Sequence, residues 1–301
     1  MERSGMWQQL AQLIVDGLIT GTILALTGVG ATLVFGIQRI ANFAHGEYLT
    51  LAAFAAYGFS VVGGLGLVVS IGLAMAVTGL LAVVIHLVVL RPLRGRGLVA
   101  MSLITVGLGM MLRNLVFLFA GPQLRELPVD QAVVYRVWIL SISPGQLASV
   151  AVAIVVAPAL AYFLARTRLG KSMRAVADNR DLASIAGIDV DRIGTRVWLL
   201  AGVLAGLGGV MFALVQGTFD PNLGTQVLFL IFTTVVLGGI GSAYGALVAG
   251  LLLGLAMELS TWSGLFGGLD ARFKPILAFA TLIVLLLFRP QGLFGRRARA
   301  Y

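Results

Sequence analysis

Long apolar runs separated by short polar punctuation organise this chain. A helix needs about 20 apolar residues to cross a bilayer, and candidate runs lie at residues 10–36, 43–62, 66–90, 98–119, 145–165, 197–216, 225–240, 243–261 and 275–288. The pattern predicts an all-α fold: a polytopic transmembrane helical bundle of about 8–9 spans, some broken or half-length, in one domain over residues 1–301. The uncharged stretch between Asp220 and Glu258 is tight for two crossings, and Gly238-Gly239-Ile240-Gly241-Ser242 interrupts it. One neighbour of that break is expected to be a half-helix or re-entrant segment. Such backbone is tolerated in a bilayer only where protein or a water-filled cavity satisfies it, and broken helices sit beside transport pathways.

One segment departs from the oily pattern. Residues 166–196 are polar and basic, lie between two apolar runs, and read as a helical handle held in water that takes force from a soluble partner. Within it Asp178 and Asp181 have the spacing of an N-cap and an acidic N3 residue. Leu182, Ile185 and Ala186 follow at helical spacing, and Gly187 supplies a stop. Spacing alone leaves two readings level: a capped surface turn, or a peg whose small apolar face docks in a partner's groove.

Composition agrees with a membrane protein. Of 301 residues 59% are hydrophobic and 11% charged, and the mean hydropathy is +1.01. That leaves far too little polar surface for a soluble globule. The net charge of +9 does not imply nucleic acid, because the basic residues cluster between apolar spans, where they set topology. Placing residues 166–196 in the cytoplasm puts Arg39, Arg91, Arg94, Arg96, Arg289, Arg296, Arg297 and Arg299 on the same side. Arg3, Arg125, Arg136, Arg272 and Lys274 fall outside, and Arg113 stays within a span. The N-terminus is then outside and the C-terminus cytoplasmic. The first run is too long for a signal-peptide core and is expected to remain a membrane helix. Without cysteine, thiol-ligated metals are excluded and only His45 and His86 offer imidazoles, so a catalytic metal is not expected.

Several constellations could carry chemistry. Gly170-Lys171-Ser172 has the tail of a phosphate-binding loop, but Ala165 stands where the first glycine belongs, and an apolar helix precedes it instead of a strand. Nucleotide binding by this chain is rejected. In Asn42-Phe43-Ala44-His45-Gly46-Glu47, residues 42, 45 and 46 share a helical face. Asn42 as an N-cap and Gly46 as a packing point explain part of this, while His45 and Glu47 read as lining or gating a polar path. Asp16 and Glu258, within apolar spans, should face the bundle interior, and three readings stand for them: proton-relay groups, interfacial placement, or protonated, hydrogen-bonded side chains. His86 reads as interfacial. Gly17/Gly21, Gly202/Gly206, Gly241/Gly245 and Gly250/Gly254 have the spacing that lets helices approach closely within one chain. No catalytic set appears, so an enzyme is not expected.

At these residues the chain resembles the branched-chain amino acid ABC importer permease family, specifically the smaller permease subunit. The resemblance runs from about Leu13 to Arg296 and rests on an ordered series of stretches. They are Asp16-Gly17-Leu18 with Leu24-Ala25-Leu26, Asn42 to Glu47, Arg91-Pro92-Leu93-Arg94, Thr167 to Arg192, Val236 to Ser242, and Phe288-Arg289-Pro290-Gln291-Gly292-Leu293-Phe294-Gly295. It implies a multi-pass subunit of the bacterial inner membrane without a cofactor of its own, ATP being bound by partner subunits. The implied partners are a homologous second permease, two cytoplasmic ATP-binding subunits and an extracytoplasmic solute-binding protein. The resemblance places Ala183, Ala186, Gly187 and Ile188, with Arg174 and Asn179 nearby, in the ATPase-coupling segment. Asn42, His45, Gly46 and Glu47 match its signature at the second span. Their assignment to the solute path, with Gly238, Gly239, Gly241 and Ser242 close to it, is inferred from the cost of polar groups and broken backbone. Two departures stand out. Asp16 occupies a position where relatives often carry Asn, and Glu258 falls one place late, which rotates a helical side chain by about 100°. Relatives handle leucine-like and other amino acids, short amides or urea. The rival class is a self-contained secondary transporter or channel using Asp16, Glu47 and Glu258 as ion sites.

Overall fold

A computed structural model describes residues 2–131, 133–137, 140–264 and 268–295. Arg296, Arg297 and Arg299 lie outside the described residues, as does the Arg3 side chain. The described chain is a helical bundle: α1 (Glu2–Gln38), α2 (His45–Tyr57), α3 (Leu67–Ile85), α4 (Leu98–Ala120) and α5 (Pro144–Arg166). The short helices α6 (Arg168–Asp178) and α7 (Arg180–Ile185) precede α8 (Val190–Gln216), α9 (Leu223–Gly238), α10 (Ala243–Leu259) and α11 (Lys274–Phe288). Wider π turns extend α2 over Gly58–Val62 and α3 over His86–Leu90. Strand β1 (Arg125–Glu126) pairs antiparallel with β4 (Thr218–Phe219), and β2 (Tyr135–Val137) with β3 (Leu140–Ile142).

Among the described residues 6 helices are long and apolar enough to cross a membrane, the last of them α11 counted together with the 3-10 turn Ala271–Phe273 that leads into it. The α2 unit, α9 and α10 are shorter; 16 residues in α9 reach about 24 Å, against a hydrocarbon core of about 30 Å. Both helices beside the Gly238–Ser242 break are therefore short, where the sequence led us to expect one.

The helices divide into a core and a rim. In the most apolar windows of α1 and α8, 83% and 78% of residues are buried, against 6% in α11. Glycine makes the core this dense. Gly17 and Gly21 on α1 meet Leu255 and Leu251 on α10, while Gly250 and Gly254 on α10 meet Ala25 and Gly21. Gly202 and Gly206 on α8 receive the Met75–Gly79 stretch of α3. The small-residue spacing thus serves packing within the chain. The rim helices α3, α4, α5 and α11 turn large apolar side chains outward, as a lipid or subunit interface requires.

The two ends differ in charge. At one, Gln38 closing α1 touches Gly194 near the start of α8. Arg94, Arg91 and Arg180 surround Asp191 there at 2.6, 3.2 and 3.6 Å. This basic end also carries α6 and α7. The opposite end holds the strand pairs and the start of α5, where Ser143 and Gln146 form a reciprocal cap.

Candidate translocation and coupling sites

The Asn42 to Glu47 signature lies inside the bundle. After α1 ends, Arg39 adopts φ 53 and the chain turns back among the helices before α2 starts. Thr105 on α4 holds this return segment: its hydroxyl accepts from the Phe43 amide and donates to the Ala41 carbonyl, both at 3.1 Å. Asn42 Oδ1 accepts from the Ala44 amide at 3.2 Å. The residue at the cap position is Ala44, which has no side-chain cap bond. Asn42 therefore shapes the turn ahead of the helix and shares no helical face with His45 and Gly46, a correction to the N-cap and one-face readings. His45 Nε2 donates to the Thr27 carbonyl at 3.1 Å; a carbonyl only accepts, so this ring nitrogen carries the proton. Thr27 lies about 16 Å from the end of α1 at helical rise, so α2 begins part-way through the bundle.

There α2 meets the start of α9. Gly46 and Gly224 abut backbone to backbone, and the Gly224 amide donates to Thr50 Oγ1 at 2.9 Å. Glu47, 5% exposed, accepts from Thr225 Oγ1 at 2.9 Å and from Thr50 Oγ1 at 3.3 Å. Arg113 on α4 donates to Thr225 Oγ1 at 3.1 Å. A buried carboxylate and a guanidinium thus communicate through one hydroxyl, on a floor formed by α2 between α4 and α9. Sequence reading left Arg113 unassigned and missed Thr50, Thr105 and Thr225. A lone arginine in an apolar span was the available signal; threonines in such spans carry none.

The 166–196 segment is helical throughout most of its length. Thr167 caps α6 by accepting from the Gly170 amide at 3.0 Å. A Cβ added at Gly170 would fall 2.7 Å from Leu164 Cα, so this glycine serves a tight corner and leaves no cradle for phosphate. Arg174 donates to the Ala165 carbonyl at 3.2 Å and ties α6 to the end of α5. The N-cap of α7 is Asn179, whose Oδ1 accepts from the Asp181 and Leu182 amides at 3.0 Å. Asp178 instead closes α6, a correction of one residue. At the other end Gly187, with φ 81, donates to Ser184 O while Ile188 donates to Ala183 O, both at 3.0 Å. That pair of bonds is a Schellman stop. Ala183 is 4% exposed, whereas Leu182 is 62% and Ile185 83% exposed. Ala186 and Gly187 are also exposed.

The Gly238–Ser242 break sits at the basic end. Gly239 and Gly241 take φ 97 and 85, and Ser242 Oγ caps α10 through the Gly245 amide at 3.0 Å. Thr32 Oγ1 on α1 accepts from the Gly241 amide at 2.9 Å. Arg174, Ala177, Gly241, Ser242 and Phe294 line a common cavity of about 390 Å³, which brings α6 against this turn. The tail packs here too: Leu293 and Phe294 amides donate to Leu237 and Gly238 carbonyls at 2.8 and 3.2 Å. Asn42, Phe43, Phe232 and Ile240 border an adjacent apolar cavity of about 170 Å³, which links the break to the return segment before α2.

Both intramembrane acids have partners near the opposite end. Asp16 accepts from Gln146 and Gln12 at 2.8 and 3.2 Å. Glu258 pairs with Lys274 at 2.5 Å and accepts from Thr20 Oγ1 at 3.4 Å. His86 is 1% exposed, stacks on Trp198 at 5.4 Å and lies 3.3 Å from Arg94, covered by protein beside the arginine cluster.

The likeness to known proteins covers nearly all of this architecture. Residues 13–286 match the family described as branched-chain amino acid transport system / permease component. The high-affinity branched-chain amino acid transport system permease protein BraD of Pseudomonas aeruginosa is 31% identical over 298 residues, 95% of each chain. The corresponding protein LivH of Escherichia coli K12 is 29% identical over 303 residues, again 95% of each. The autoinducer 2 import system permease protein LsrC of Yersinia pseudotuberculosis is 32% identical over 239 residues, 77% of this chain and 65% of that one. Among solved structures, PsaBC from Streptococcus pneumoniae in complex with Fab superposes with a TM-score of 0.51 at 13% identity, covering 93% of this chain and 92% of that one. This last likeness concerns the fold alone. The match over residues 13–286 shows that the chain belongs to the branched-chain amino acid transport system permease family.

Proposed function

We propose that this chain is one permease subunit of an ATP-binding-cassette importer for branched-chain amino acids or related small solutes. It forms the path with a homologous permease, receives solute from an extracytoplasmic binding protein and is driven by two cytoplasmic ATPases. The basic end faces the cytoplasm in this reading, since arginine clusters there. The observation that carries the proposal is α7: a capped helix at the basic end with Leu182 and Ile185 turned to solvent. Exposed apolar groups on a polar helix suit a partner's groove.

The stroke has a contiguous route. Arg180 links α7 to Asp191 on α8, and α6 shares the cavity beside Gly241 and Ser242. That break adjoins Asn42 and Phe43, which lead into the Glu47 cluster. ATP binding and hydrolysis would bias two arrangements of these helices, and the polar cluster around Glu47 would face the solute in one of them. Asn42, His45 and Gly46 hold its geometry. The paired states of Asp16 and Glu258 favour this reading over a self-contained secondary transporter. Reconstitution separates the two classes: uptake into proteoliposomes should require the ATPases and binding protein and ignore proton uncouplers. Uptake by this chain alone would overturn the proposal.

A further inference from the structure

A cavity of about 380 Å³ lies between α1, α8, α9, α10 and α11, near the end opposite the basic one. Its size falls within the range of small-molecule pockets. Phe212, Val215, Leu230 and Met257 give it an apolar wall, and Gln216 and Gln226 add amides. Glu258 and Lys274 also line it, the carboxylate 9% exposed as a residue. These charges are paired with each other at 2.5 Å, so the lining itself carries no net charge; Asp16, which interacts electrostatically with both, lies outside the lining and is held by Gln146 and Gln12.

We propose that this cavity is a permease-borne binding site for an amino-acid zwitterion with an apolar side chain. The ligand's ammonium would turn to Glu258, its carboxylate to Lys274, and its side chain to the apolar wall. An α-amino acid carries its two charged groups on one carbon, so inserting it exchanges one ion pair for an alternating ring of four charges. Net charge in the pocket is unchanged. A simple amine or a simple acid would instead leave an excess charge buried, which is strongly unfavourable. The site therefore selects for a zwitterion before any side-chain recognition. It is separate from the Glu47 cluster, and its ligand class rests on the importer reading above.

The test is ligand-induced thermal stabilisation of the purified permease and ATPase complex, without binding protein, using millimolar L-leucine, 3-methylbutylamine and 4-methylpentanoate. Leucine should raise the unfolding temperature more than either analogue. The double variant Glu258→Gln/Lys274→Met removes the pair without leaving a lone charge, and should weaken leucine binding at least about tenfold while the complex stays assembled. Equal stabilisation by all three compounds, no effect of leucine on the parent complex, or an unchanged effect in the double variant would overturn the proposal. If the double variant does not assemble, Phe212→Trp, which fills the cavity and keeps the charges, should also abolish the leucine shift, and its failure to do so would overturn the idea. ATP-dependent uptake by the parent complex reports on the importer reading separately, and can succeed where the pocket fails.

Discussion

Gly21 on α1 rests directly on the backbone of Leu251 on α10: a Cβ added to Gly21 would lie 2.8 Å from the Leu251 Cα. Neither backbone can yield without moving a core helix. Gly21→Ala should therefore destabilise the protein by about 1–3 kcal/mol, as overpacking does. Gly72 on α3 and Gly107 on α4 have nothing within 4 Å of such an atom, and alanine there should stabilise by about 0.5–1 kcal/mol through the unfolded chain. Thermal unfolding of the three variants in detergent checks the contrast. Similar behaviour at Gly21 and Gly72 would refute the close-packing account.

On α7 the buried and exposed faces predict opposite phenotypes. Ile185 is 83% exposed, so Ile185→Asp should change the stability of the chain by no more than about 0.5 kcal/mol. It should nevertheless weaken co-purification of the ATPases and stop solute uptake. Ala183, 4% exposed, faces the bundle; Ala183→Leu should displace α7, leaving ATP hydrolysis uncoupled from uptake with the subunit still in the membrane. Normal uptake in both variants would remove α7 from the coupling route.

Much of this was legible in the chain. Apolar run lengths revealed the spans, the glycines at Gly238–Ser242 marked the break, and Gly187 marked the end of α7. What was not legible depended on depth and on partners. Period and cap spacing placed Asn42 on a helix, because nothing local says that residues after Arg39 turn back into the bundle. The cap of α7 moved from Asp178 to Asn179 since either side chain suits the role and only the path of α6 decides. Lys274 for Glu258 and Gln146 for Asp16 come from distant segments, so the acids looked alone. Thr225 and Arg113 join Glu47 across more than 60 positions of sequence from α4 and α9, a juxtaposition that only tertiary packing makes.

The Thr225 hydroxyl is the single bridge between Glu47 and Arg113 among the described residues. Thr225→Val keeps the shape but leaves a buried carboxylate and a guanidinium each short of a partner, at a cost of about 1–3 kcal/mol. Uptake in the reconstituted importer should fall about tenfold if the cluster meets the solute, while Thr225→Ser, which restores the hydroxyl, should recover it. An equal loss in the valine and serine variants would point to packing of the threonine methyl group instead of the polar bridge.

The tail and the Gly238–Ser242 break should behave as one unit. Leu293 and Phe294 amides take up the carbonyls of Leu237 and Gly238, which the end of α9 leaves without helical partners. A Cβ at Gly239 would lie 2.5 Å from the Gly295 amide nitrogen, and φ 97 already excludes most side chains. Gly239→Ala should cost about 1–3 kcal/mol in strain and expel the tail. Truncation after Phe288 should produce a similar loss by exposing the same carbonyls. Because both changes remove one contact surface, the double variant should be no worse than the more damaging single one. Unfolding temperatures of the four proteins measure this directly; fully additive losses would mean that the tail and the glycine stabilise the break independently.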